Sequence, residues 1–250
     1  MRVILRTVLL TVVLAATPAM GGTTINLTGS SASDGPDGNI RSFTAGGINV
    51  QAMAYSYDGT TLENGWLGQF SSGLGVTNND EGNGTSGNSH TVDNLGQNDF
   101  VAFVFDRAVN ISSAVLNPFS VSGNVLDNDA WVSFGTLNGA YNGGTPMAIP
   151  LGSPIWSTLN TNPNAKNVVG NLGSGYSTSL NMTGYGNVWI IGASRAGYNF
   201  VDNRVDGFKI GSLSVTAAVP EPATWAMMIV GFGMVGAAMR RRARTSVSFA

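Results

Sequence analysis

Asp99-Phe100-Val101-Ala102-Phe103-Val104-Phe105-Asp106 is the stretch that decides the fold. Six consecutive apolar residues lie between two carboxylates. The run is too short for a core helix and is rich in β-favouring side chains, so it reads as a central strand buried on both faces. Outward from it, other segments show strand chemistry. Residues 24–28 alternate polar and apolar, and so do 48–55, with Ile48, Val50, Ala52 and Ala54 on one face. Residues 111–116, 130–134, 176–182, 188–191 and 208–215 read as further strands. The connections are dense in Gly, Asn, Asp and Pro, which are turn formers. No segment between residues 22 and 218 sustains a helical period, and no repeat recurs at a fixed spacing. The expected fold is all-β, an antiparallel β-sandwich of jelly-roll-like type. Residues 73–96 and 140–163 read as two long polar or proline-rich loops.

Composition agrees. The chain has 250 residues, 34 Gly, no Cys, 43% hydrophobic and only 10% charged residues. Without cysteine there is no disulfide scaffold, thiolate metal site or cysteine nucleophile. Six of the 12 basic residues lie in the two ends, leaving an acidic middle. That balance offers no footprint for nucleic acid.

Both ends read as targeting segments. Arg2 and Arg6 precede an apolar stretch, and small residues follow. This is the order of a secretory signal peptide, expected over residues 1–21, with cleavage after Ala19 or Gly21. The extracytoplasmic β domain is expected over 22–218. Beyond it, Pro220-Glu221-Pro222 leads into an uncharged apolar run, 223–239, closed by Arg240, Arg241, Arg242 and Arg244. Such a run is at the lower limit for a single transmembrane helix. Trp225 would sit at one interface and the arginines on the cytoplasmic side.

Residues 219–244 resemble a PEP-CTERM sorting signal of the PEPxxWA variety, matched by Pro220, Glu221, Pro222, Trp225 and Ala226, with 245–250 as a tail. The resemblance implies an exosortase as processing partner and a Gram-negative host. It implies an inner-membrane precursor, held through the C-terminal helix, and then a cell-surface or extracellular product. It also implies association with exopolysaccharide or biofilm. The same tail has been labelled an ice-binding protein C-terminal domain. The block from Gly73 to Val101 resembles a segment recurring in PEP-CTERM surface proteins.

Within the domain, His90 is the one histidine. No nucleophile elbow accompanies it, and it is expected to pin its loop. No catalytic residue is assigned. Acidic and amide side chains gather at 78–81, 127–129 and 202–206. Calcium takes six to eight oxygens of this kind, and Asp127 with Asp129 form the preferred pair. Trp66, Trp131, Tyr141 and Trp156 are the aromatic candidates for stacking on sugar rings. Trp131 lies in an alternating strand and belongs to the core, so Tyr141 and Trp156 are the expected ligand contacts. A structural or adhesive protein with a polysaccharide ligand is the expected function. A secreted glycoside hydrolase or lyase is the alternative, and an ice-binding protein a lesser one.

Overall fold

The structure, a computed structural model, describes residues 22–30, 36–81, 90–139, 149–196, 202–218 and 222–242, the last segment with side chains for 226–240. The expected signal peptide and the 245–250 tail lie outside these residues. Among the described residues, thirteen strands form one hydrogen-bonded sheet. They are β1 (Thr23–Asn26), β2 (Ile40–Ala45), β3 (Ile48–Tyr57), β4 (Leu62–Asn64), β5 (Trp66–Phe70), β6 (Gly73–Thr77) and β7 (Val92–Asp93). Then follow β8 (Asn98–Pro118), β9 (Ala130–Gly135), β10 (Lys166–Val168), β11 (Ser177–Ser179), β12 (Gly186–Ala193) and β13 (Gly207–Ala217). Helix α1 is Ile155–Thr161 and α2 is Pro222–Arg242.

The apolar run of the opening stretch is the first half of β8. Asp99 to Phe105 are all buried, as expected of a strand covered on both faces. Yet the strand does not stop at Asp106. It turns a corner and continues to Pro118. Between Gly186 and Val188 of β12 the partner residue on β8 jumps from Val109 to Val104, so the extra residues bulge out. The corner is braced by polar side chains. Arg107 Nε pairs with Asp106 at 3.0 Å, Arg107 Nη2 donates to Gly47 O, and Asn49 Nδ2 donates to Asp106. After the corner, buried and more exposed residues alternate from Val109 to Leu116, with one break at Ser112 and Ser113 where the register against β13 shifts.

This one strand joins two layers. Its first half pairs with β3 and β12, and its second half with β13 and β11. β9 and β10 extend the first layer from β12. β1, β6 and β7 line the far edge of β13. Every pairing is antiparallel, as expected. Where a jelly-roll-like sandwich implies two sheets, the hydrogen-bonded network here is continuous through β8.

Between the layers lies the main core. It takes Ile48, Val50, Ala52 and Ala54 from β3, the face foreseen from their alternation, with Val101, Phe103 and Phe105 from β8 and Trp189 from β12. Ile25, Leu74, Val76, Leu213 and Val215 meet them from the other layer. A second cluster covers the outer face of the first layer: Met53, Tyr55, Phe100, Val104, Trp131 and Ile190 beneath Ile149, Ile155 and Leu159. Trp131 is thus core.

Two stretches read as loops carry structure. Residues 73–77 form β6, all buried. Gly75 permits it, because a β-carbon there would overlap the carbonyl of His90. Within 140–163, α1 follows Pro154, which suits a helix start. β2 and β3 form a hairpin through Gly46 and Gly47, both at positive φ, the conformation a two-residue turn demands.

α2 confirms a helix behind Pro222. Its described side chains are exposed apart from Gly231 at intermediate exposure. No helix among the described residues is long and apolar enough to cross a membrane.

Candidate metal centres and an aromatic cleft

Asp127, Asn128 and Asp129 lie between β8 and β9. Asp202 comes from the segment before β13. The fold brings these together, so that carboxylate oxygens of Asp127, Asp129 and Asp202 lie within 4.8 Å of one another. Asp127 and Asp129 are buried and Asp202 is exposed. Backbone contacts fix the two buried residues. Gly207 N donates to Asp127 O at 2.7 Å, and Gly170 N donates to Asp129 Oδ1 at 2.8 Å. Asn128, between them, donates Nδ2 to Leu116 O and Asn171 O. Asp202 is paired with Arg204 at 3.4 Å.

Like charges out of water hold these protons tightly. Burial, then the neighbouring Asp202, raises Asp127 above the ordinary carboxyl value. Burial pushes Asp129 up to about 6. Asp206, just behind the group, is pushed up to about 7 by burial, even though Ser194 and Asn94 donate to its Oδ2. Three carboxylates at this spacing could hold a cation, and oxygen donors suit a hard one. The pair foreseen in the sequence is therefore adjacent in space. Asp202, from another of the acidic loops, joins it.

The loop at 78–81 joins a different group. Glu81 meets Asp93 of β7 and Asp99 of β8, again with carboxylate oxygens within 4.8 Å. Burial pushes Glu81 up to about 8 and Asp93 up to about 6, and raises Asp99 strongly. Lys209, buried over the rings of Phe70 and Phe119, is brought down to about 8 by burial. His90 lies tilted against Phe70, with ring centroids 4.6 Å apart.

On the outer face of the first layer, α1 and the ends of β3, β9 and β12 enclose a cleft of about 220 Å³. Tyr57, Trp131, Trp156, Asn160 and Arg195 are among its walls. Trp156 sits edge-on to Tyr55 at 4.6 Å and donates Nε1 to Pro150 O. The Arg195 guanidinium lies 4.8 Å from the Trp131 ring centroid and 5.3 Å from that of Tyr57, and it donates to Asn160 Oδ1 at 3.0 Å. Of the two aromatic contacts foreseen, Trp156 lines the cleft and Tyr141 lies outside the described residues. Trp66 is buried. Arg195 carried no signal in the sequence, since a lone arginine after a strand is ordinary.

The C-terminal segment supplies the remaining functional residues. Residues 218–242 match the family model of the PEP-CTERM protein-sorting motif.

The tail is a PEP-CTERM sorting motif.

The match takes in Pro220, Glu221, Pro222, Trp225 and Ala226, and Arg240, Arg241 and Arg242; Arg244 lies beyond it. Pro220, Glu221 and Arg244 are outside the described residues, and Pro222 opens α2. The PEP-CTERM motif indicates an exported protein sorted by an exosortase to the surface of a Gram-negative bacterium. No curated protein and no solved structure matches the chain.

Proposed function

We propose that this PEP-CTERM protein is a non-enzymatic surface or matrix component that holds polysaccharide in the aromatic cleft. The cleft carries the reading. Sugar rings present an apolar face to aromatic walls, and Arg195 and Asn160 add polar contacts beside Tyr57 and Trp156. A hydrolase would need two carboxylates facing the scissile bond. Among the described residues lining the cleft, none is acidic. That supports binding over turnover, and an adhesive role in exopolysaccharide or biofilm. Trp156→Ala is expected to weaken retention on the host's own exopolysaccharide about tenfold, equivalent to about 1.4 kcal/mol. Polymer breakdown that a single acidic substitution abolishes would overturn the reading.

The proposal includes a membrane step. The apolar face of α2 holds the precursor at the inner membrane, the arginines stay on the cytoplasmic side, and the exosortase cuts near Pro220-Glu221-Pro222. The exposed apolar surface of α2, with Met227 at 75% and Phe232 at 72%, supports this.

We also propose calcium at Asp127, Asp129 and Asp202, as a structural ion. A buried carboxyl whose value is raised above the unfolded one stabilises the fold at low pH. That contribution is lost as pH rises through the folded value. Asp129 and Asp206, at about 6 and about 7, place the loss above the ordinary 3.8. In chelator, the melting temperature should fall as pH rises from about 4 to about 7. Millimolar calcium should flatten that fall, and should do so less in Asp127→Asn. Identical pH profiles with calcium and with chelator would rule the site out.

A further inference from the structure

We propose a second divalent-cation site at Glu81, Asp93 and Asp99, on the opposite flank of β13's N-terminal end from the first triad's loop. Three separate segments build it. Glu81 ends the short helical turn Asn79–Glu81, Asp93 ends β7, and Asp99 opens β8. Their carboxylate oxygens lie within 4.8 Å of one another. Residues this far apart in the chain do not come so close by local turn geometry.

The decisive observation is Asp99. It is 1% exposed, and among the described residues its Oδ2 has no hydrogen-bond partner. A buried carboxylate oxygen without a donor is costly, and native folds rarely leave one unanswered. Its other oxygen accepts from Asn78 Nδ2 at 3.1 Å. The same Asn78 donates its backbone N to Glu81 Oε2 at 2.9 Å. One residue therefore aims two of the three carboxylates. Asp93 is held by Thr91 Oγ1 and Leu95 N, both at 2.9 Å. Such orientation of ligands by outer partners is what metal sites require.

Charge points the same way. The buried Lys209 ammonium acts on Asp93. With all three carboxyls ionised, as a bound cation would make them, they would outnumber that ammonium by two charges, and one divalent ion would balance them. The donors are oxygen only, which selects a hard cation. Calcium fits better than magnesium, because magnesium keeps several waters and this site is largely enclosed. The ion would clamp the turn after β6 to β7 and β8.

Calcium is the probe, with the full chain stripped by chelator and dialysed back. Metal content by mass spectrometry and affinity by calorimetry are the readouts. In the Asp127→Asn/Asp129→Asn background, which removes the first triad, one calcium per chain is expected to remain. Adding Glu81→Gln should remove it or weaken it at least about tenfold, while the metal-free protein melts no lower, since Gln keeps the acceptor for the Asn78 backbone N–H. Glu81 is the test position because it is the least buried of the three and its change spares the fold. Asp99→Asn, if it folds, should act alike. No calcium in the first-triad variant, or affinity unchanged by Glu81→Gln, would overturn the site. Neither result bears on the aromatic cleft.

Discussion

Trp189→Ala is expected to destabilise the domain by about 3–5 kcal/mol, a large part of the stability of an ordinary domain. Trp189 is completely buried in the central strand of the first layer, between β8 and β9. Its ring stacks on Phe134 at 4.8 Å. Its Nε1 donates to the carbonyls of Val109 and Gly186, each at 3.1 Å. Truncation therefore opens a cavity and strips a donor from two carbonyls at once. Val109 is the first residue of β8 beyond the corner to pair with β12, so the damage falls where the two layers join. Urea unfolding would measure it. A loss below about 1 kcal/mol would mean that the site collapses around the gap. Trp156→Ala, at the edge of the cleft, should cost far less, because Trp156 is only partly buried.

The second large effect is on sorting. Replacing Pro220, Glu221 and Pro222 with alanine is expected to convert most of the protein into an unprocessed form in the inner-membrane fraction. Intact mass would show Arg240, Arg241, Arg242 and Arg244 still attached. In the parent protein the mature pool should lack them. The β domain should fold equally well in both, since no strand extends beyond Ala217 among the described residues. A mature parent protein that retains the arginines would refute processing near the motif. A variant that is still cut would show that the recognition element lies elsewhere in the tail.

Much of the fold was legible where side-chain period and burial coincide. The run Phe100 to Phe105 is apolar at every position because both of its faces are covered, one by each core cluster. The alternation at Ile48, Val50, Ala52 and Ala54 was equally plain. What hid was structure made by backbone approach. β6 has two glycines in five residues; Leu74 and Val76 enter the main core, but Gly73 and Gly75 are buried against the backbone of Ile210 and His90, which no hydrophobic pattern records. The corner in β8 hid for another reason. Asp106 and Arg107 look like an ending, but they brace a bulge.

The sites divide along the same line. Asp127 and Asp129 are two residues apart, so their proximity could be read directly. Asp202 joins them through the segment leading into β13, and Glu81, Asp93 and Asp99 meet only because β6, β7 and β8 converge. Trp156 stood out as an aromatic in a loop. Arg195 gains meaning only when β12 and α1 bring it over Trp131 and Tyr57.

The position of β13 has a mechanical consequence. Any tension transmitted through the C-terminal tail enters the domain at Ala217. β13 runs antiparallel between β8 and β1, paired with β8 over its length from Phe208 to Ala217 and with β1 from Ser212 to Val215. A pull along the strand loads those hydrogen bonds together, in shear, instead of peeling them one by one. The sheet would thus resist extraction by its tail. Forced unfolding is governed by the unfolding rate rather than by equilibrium stability. An attachment at that end of the domain would therefore hold longest when strained along β13.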